Sequence, residues 1–422
     1  MKKIILILNI FLYLTSFGQI GDSLTLYFCY DEAIKNYPLS KQRDIFTSST
    51  ELKIKNIGVN YLPQIFLNGQ ATLQSDVTKI PQFIPNMKIP KLNKDSYKAT
   101  IDINQLIYDG NLTKKQKELE KSILDADQQN LDVQLYQIKN SINQLYFSIL
   151  LFQSNEKVLK LTKDNLQYKL GSVESAVRNG AMLESNADII KAELLRTDQQ
   201  LFELNMGKQA AIKMLGDFIN KNLTDSVKLS VPNEKISPVQ SENSRPEMKL
   251  FDMQIQKIEI SKNLLSSKFS PKISAFGQVG YGRPGFNMLS NNFEPFYIVG
   301  ARLNWNLWNW HQTSNEKKLM DLQSDILNTQ KETFDKNLKI IQEKDIAEIH
   351  KYEILISKDI EIINLQTKIT ANSFSQLING VTTATDYVSV LHSELQAKLN
   401  LEAHKIQLIQ ARVNYLNDAG KL

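Results

Sequence analysis

Side-chain chemistry needs reactive groups that converge, and few pairs here have spacings that allow it. The histidines are His311, His350, His392 and His404, scattered along helical stretches. His392 and His404 lie about three and a third helical turns apart, so they present to different faces and do not share a metal. The single cysteine, Cys29, excludes an intramolecular disulfide and any multi-thiolate metal site. Gly277, Gly280 and Gly282 imitate a phosphate loop but sit inside a period-two pattern with no strand-to-helix change, which reads as small-residue packing in a sheet. Asn222-Leu223-Thr224 matches a glycosylation acceptor, a tripeptide that is common by chance. No nucleophile, base or ligand set emerges. The expectation is a protein that is not an enzyme, with no cofactor and no metal.

Two turn signals are more informative. Asn179-Gly180 and Asn379-Gly380 lie 200 positions apart, each between two long helical patterns. Both residue types tolerate positive φ, so each pair reads as a chain reversal. The equal spacing, with matching text on both sides, points to an internal duplication.

The elements that position these turns follow from the remaining text. The chain has 422 residues, 42% hydrophobic, enough for a large buried surface. The charge of +5 is spread thinly over 50 basic and 45 acidic residues, which gives no nucleic-acid footprint. Residues 1–18 read as a cleavable secretory signal: Lys2-Lys3, an apolar run from Ile4 to Phe17, then small residues at Ser16 and Gly18. Cys29 comes too late for a lipoprotein anchor. No later stretch offers about 18 consecutive apolar residues, so any membrane entry is by β-strands.

Glu32 to Asn60 reads as a helix interrupted at Tyr37-Pro38 and stopped by Leu62-Pro63. Ile65, Leu67, Gly69, Ala71 and Leu73 then alternate with Phe66, Asn68, Gln70 and Thr72. A loop containing Pro81, Pro85 and Pro90 follows, and alternation returns at Tyr97, Ala99, Ile101 and Ile103. This predicts a hairpin over 64–106 with one apolar face and strands long enough to span a membrane. Residues 111–178 form one helical pattern, with Leu135, Ile138, Ile142, Leu145 and Ile149 in a coiled-coil seam. If continuous it extends about 100 Å. A second helix is expected over 180–215, with Leu194, Leu201, Leu204, Ala211 and Leu215 on one stripe. A polar connector at 216–243, with Pro232 and Pro238, is expected to lie as an equatorial belt.

The order then repeats: a helix over 245–270, a hairpin over 272–307, a long helix over 311–378 and a last helix over 381–419. The repeats are 19–215 and 244–422. In the second hairpin Ile273, Ala275, Gly277 and Val279 alternate with Ser274, Phe276 and Gln278, and Val299, Ala301, Leu303 and Trp305 with Ile298, Arg302, Asn304 and Asn306. Four strands cannot close a barrel, since spanning barrels need at least about eight. The barrel is therefore shared between copies. The three tryptophans, Trp305, Trp308 and Trp310, cluster where the fourth strand would leave the bilayer, which suits an interfacial belt.

In its ordered features the chain resembles the TolC-type outer-membrane factors. The resemblance rests on Asp31-Glu32-Ala33 with Asn36-Tyr37-Pro38, on Leu62-Pro63-Gln64, on Tyr108-Asp109-Gly110, and on the turns at Gly180 and Gly380. It covers nearly all of the chain after the signal. It implies an α+β membrane protein: a trimer with four transmembrane strands per chain, a twelve-stranded β-barrel and a long α-helical coiled-coil barrel in the periplasm. Such a protein is the exit duct of a tripartite efflux pump or a type I secretion system. Its partners are a periplasmic adaptor (membrane fusion) protein, an inner-membrane pump of RND, ABC or MFS type, and outer-membrane lipids.

The resemblance also assigns residues. The periplasmic tips would be Arg178, Asn179 and Gly180 with Glu184 and Asn186, and Asn379 and Gly380 with Thr382 and Asp386. Asp386 matches a family acid that rings the constriction, while a second such acid falls at Ser389 and a tip arginine at Thr382. The lipid-facing set would be Ile101, Ile103, Ile273, Val279, Val299, Ala301, Leu303 and Trp305. Two other readings compete: a soluble periplasmic coiled-coil adaptor or scaffold, and a hydrolase on an outer-membrane scaffold. The hydrolase lacks a catalytic constellation in the sequence.

Overall fold

The computed structural model describes residues 23–78, 92–233 and 244–422. The signal expected over 1–18, the loop prolines Pro81, Pro85 and Pro90, and the part of the connector holding Pro238 lie outside the described residues.

The described chain begins with α1 (Leu26–Asn36), a 3-10 turn (Pro38–Lys41) and α2 (Gln42–Gly58). The helix expected to begin at Glu32 begins at Leu26 instead, because the Thr25 hydroxyl caps it by accepting from the Phe28 amide at 3.3 Å. Strands β1 (Gln64–Leu73) and β2 (Asp95–Tyr108) follow, then α3 (Leu112–Arg178) and α4 (Glu184–Ile219). The order continues with α5 (Pro246–Lys268), β3 (Lys272–Arg283), β4 (Glu294–Asn304), α6 (Gln312–Ile378) and α7 (Ala384–Asp418). Each of α3 and α6 has 67 residues. Positive φ at Gly110, Asn111, Gly180 and Asn220 has counterparts 200 positions on, at Trp310, His311, Gly380 and Gly420.

The chain divides into two compact units. One, residues 42–130 and 249–332, holds the sheet. Its order is β1-β2-β3-β4, antiparallel throughout. The register places Ile65, Ile103, Gly277 and Val299 in one row, and Leu67, Ile101, Val279 and Tyr297 in the next. Residues directly opposite share a face, so most aliphatic residues of the four strands collect on one side, while Phe66, Phe276, Phe296 and Ile298 lie on the other. That other side also carries the polar residues: Asp102 accepts from Asn68 at 2.5 Å and from Gln278 at 2.6 Å. Strand β2 bulges between Leu106 and Tyr108. Trp305 lies outside β4, contrary to the alternation that placed it in the strand. Lys272 is the first residue of β3 and pairs with Asn304, and the next rung would need an N–H from Pro271, which has none.

The other unit holds residues 23–41, 131–233, 244–248 and 333–422 of the described chain. In the α3 seam Leu135, Ile138, Ile142 and Ile149 are buried, each stabilising the unit by about 1.5–3 kcal/mol relative to exposure. The Tyr146 hydroxyl lies 2.8 Å from the Leu24 carbonyl and 2.6 Å from that of Ser230. Leu24 forms a parallel bridge with Leu229, so the chain after α4 is tied back to the start of α1. Helix α4 departs from a purely apolar stripe. It begins at Glu184, not at 180, and its buried face includes Glu193, Thr197 and Lys208. Lys208 is held there by Glu156 at 2.6 Å.

Candidate functional site

The two chain reversals are helix C-caps of one type. At the end of α3, the Gly180 amide donates to Val177 and the Ala181 amide to Ala176, both at 2.9 Å. At the end of α6, Gly380 donates to Leu377 at 3.0 Å and Val381 to Gln376 at 2.8 Å. This pair of bonds is the Schellman arrangement, which needs a left-handed residue at the glycine position. Gly180 has φ +76° and Gly380 φ +73°. The asparagines do not share that conformation, as the Asn-Gly signal had suggested. Asn379 stays helical in its bonding, with its side chain donating to Ser375 at 2.8 Å.

Beyond the second glycine, Thr383 caps α7. Its hydroxyl accepts from the Asp386 amide at 3.2 Å, while the Asp386 carboxylate accepts from the Thr383 amide at 3.3 Å and hydroxyl at 2.7 Å. Thr382 adds a third donor at 3.1 Å. The Thr383 hydroxyl, then its amide, then Thr382 hold the Asp386 carboxyl below the usual carboxylate range. Asp386 is exposed and anionic.

Asn186 occupies the matching place after the first turn and does something different. Its side-chain oxygen accepts from the Ala384 amide, the first residue of α7, at 3.1 Å. The second hairpin caps itself at Asp386 and the first hairpin reaches across to it at Asn186. Beneath them lies a closed apolar cluster of Leu166, Val173, Ala187, Ile190, Leu377, Ala384, Tyr387 and Leu391. Tyr387 packs on Phe374 with centroids 5.3 Å apart, and Lys169 sits 3.7 Å over the Phe374 ring. Arg178, Asn179, Gly180, Glu184, Asn379 and Gly380 are exposed around this cluster, and Thr382 is half-buried.

One buried group near the tip gave no signal in the text. Glu193 on α4 is 4% exposed and binds both Arg196 and His392, each at 3.1 Å. A carboxylate at a core position is legible only once its partner on α7 is known. Among the described residues, no group of three or more His, Cys, Asp or Glu is placed to hold a metal ion.

On the sheet, Ile101, Ile103, Ile273, Val279, Val299 and Leu303 lie on the apolar face, and all are exposed large hydrophobics. Ala301 is exposed opposite Ala275 on the same face. Trp305, Trp308 and Trp310 are exposed beyond the strand end, Trp310 by 84%, with Trp308 and Trp310 edge to face at 6.0 Å.

No family model and no curated protein matches the sequence. Solved structures do match. The outer membrane protein VceC of Vibrio cholerae aligns over 94% of this chain and 96% of its own, at 12% identity and a TM-score of 0.66. The fold is that of outer-membrane channels. The CmeC outer membrane channel of Campylobacter jejuni aligns at 15% identity over 94% of this chain and 85% of its own, TM-score 0.63. The open state of the MtrE outer membrane channel of Neisseria gonorrhoeae gives 12%, 94%, 88% and 0.67. At 94% coverage the alignment to these channels takes in parts of both units.

Proposed function

We propose that this chain is one protomer of a homotrimeric outer-membrane channel, the passive exit duct of a tripartite efflux pump or type I secretion system. The observation that carries the proposal is an open four-stranded sheet whose apolar face is exposed. Val299 is 74% exposed and Leu67 81%, and β1 and β4 end the sheet without a further strand among the described residues. An apolar face this size suits lipid, and free edges in a membrane must be paired. Three copies supply twelve strands, enough for a water-filled lumen, whereas two supply only a closed small barrel. Apolar residues at Ile45 and Leu52 on α2, and at Leu319, Leu322 and Ile326 on α6, are also exposed and suit burial between protomers.

In this reading the helices lie in the periplasm of a Gram-negative cell and the tips meet a periplasmic adaptor protein coupled to an inner-membrane pump. Energy comes from those partners. The cargo is small molecules or polypeptides, and no nucleic acid is involved. The halves 19–215 and 244–422 are a duplication, with 216–243 as the equatorial belt. Asp386, kept ionised by Thr382 and Thr383, contributes a ring of carboxylates at the constriction that attracts cations. Fractionation tests the reading: the mature chain should be recovered in outer membranes as a heat-modifiable barrel. Recovery as a soluble periplasmic protein would overturn it in favour of an adaptor.

A further inference from the structure

Helices α6 and α7 run back from the second tip as a hairpin, and their facing residues form a ladder. Phe374 packs on Tyr387, Thr367 donates to Glu394 at 3.1 Å, Asp359 binds His404 at 2.5 Å and Arg412 donates to Glu353 at 2.9 Å. Each rung joins an apolar pair, a donor and acceptor, or groups of opposite charge. At the end of α7 the Gln342 side chain of α6 donates to the Asp418 carbonyl at 3.4 Å, which brings two acids, Asp345 and Asp418, to the same rung. Asp345 is 6% exposed, and its Oδ2 is buried with no hydrogen-bond partner among the described residues. An ionised carboxylate left so is costly, and two in contact do not both ionise in a buried setting.

We propose that Asp345 and Asp418 share one proton, and that this proton closes a pH-sensitive latch between α6 and the last residue of α7. A proton on the orphan oxygen of Asp345 would remove its buried charge and give the pair a donor. The cation that reaches the pair is shared with a third acid. From the start of α5, the Arg245 guanidinium lies 3.6 Å from Asp418, but it is already engaged by both oxygens of Glu247, at 2.6 and 3.0 Å. It also stacks 4.8 Å over Tyr136 of α3. From α3, Lys139 donates to the Leu422 carbonyl at 2.6 Å. From α6 itself, Lys344 and Glu348 bear on Asp345 with opposite sign. The local balance of Asp345, Asp418, Glu247 and Arg245 stays negative, so uptake of a proton is favoured.

Burial, then the charge of Asp418, push the Asp345 carboxyl up to about 7, and burial also raises Asp418. The sign follows from linkage. A carboxyl with a raised folded value stabilises the fold below its unfolded value, and that contribution is lost as pH rises through the folded value. The latch is closed in acid and loosens on the alkaline side of neutrality.

Infrared difference spectra of the full-length protein in detergent, wild type minus Asp345→Asn, test this directly. A protonated-carboxyl band should be present near about pH 5.5 and absent near about pH 8.5, with the amides of the last turn of α7 exchanging faster at the higher pH. The wild-type melting temperature should fall between those two conditions by more than that of Asp345→Asn. Asp418→Asn, which removes the like charge, should keep the band and move its midpoint to lower pH. If Asp345→Asn does not fold, the wild type against Asp418→Asn reads the same midpoint. Absence of the band in acid, or a midpoint in the ordinary carboxylate range in both proteins, would overturn the proposal.

Discussion

The side-chain oxygen of Asn186 accepts the backbone N–H of Ala384 at 3.1 Å, joining the first tip to the helix that leaves the second. This bond crosses between the two hairpins, whereas the capping bonds of Thr383 and Asp386 stay within the second. Replacing Asn186 with Ala leaves the amide of buried Ala384 without its acceptor and should cost about 1 kcal/mol, the usual value for a lost cap. Hydrogen exchange at Ala384 should accelerate while Asn186→Asp, which keeps an acceptor, stays protected. Equal protection in Asn186→Ala and wild type would show that the bond does not hold the tips.

Asp386 serves the cap of α7 and, in the proposed channel, the charge at the constriction. Because Thr383 and Thr382 depress its carboxyl, its stabilising contribution is present above the unfolded value and is lost as pH falls through the lower folded value. Asp386→Asn should weaken block by multivalent cations in planar-bilayer conductance. Thr383→Ala should cost about 1 kcal/mol of stability and shift the acid end of that block to higher pH. Unchanged block in Asp386→Asn would confine Asp386 to its capping role.

Val299 shares its row with Ile65, Ile103 and Gly277. If this face meets lipid, Val299→Arg should cost about 2–4 kcal/mol near the midplane and reduce insertion, whereas Gln278→Arg on the polar face should not. Normal insertion of Val299→Arg with failure of Gln278→Arg would invert the assignment of faces.

These features differ in how far the sequence disclosed them, and the reason is physical. Period two is a property of a single strand, so Ile101, Ile103, Val279 and Val299 were legible as one face before any pairing was known. The strand end at Asn304 was not, because it depends on Pro271 across the ladder. Glycine in a left-handed cap is written locally, and Gly180 and Gly380 stood out. That Asn379 stays helical follows from its bond to Ser375 and has no separate signature. The Thr383-x-x-Asp386 capping box was present in the text, but its spacing is also that of many solvated surface turns. Glu193 with His392, Lys208 with Glu156 and Asp345 with Asp418 were invisible. Each buries a polar group at a position that helical periodicity marks only as core or surface, and each is explained only by a residue on another helix.

The number of copies per assembly tests the central claim most directly. Native mass measurement of the protein extracted from outer membranes should give three signal-cleaved chains, each lighter than the 48.3 kDa of the full sequence, with β1 of one protomer closing against β4 of the next. A detergent-free monomer in the soluble periplasmic fraction, with the apolar row of Leu67, Ile101, Val279 and Tyr297 uncovered or packed within a single chain, would contradict it.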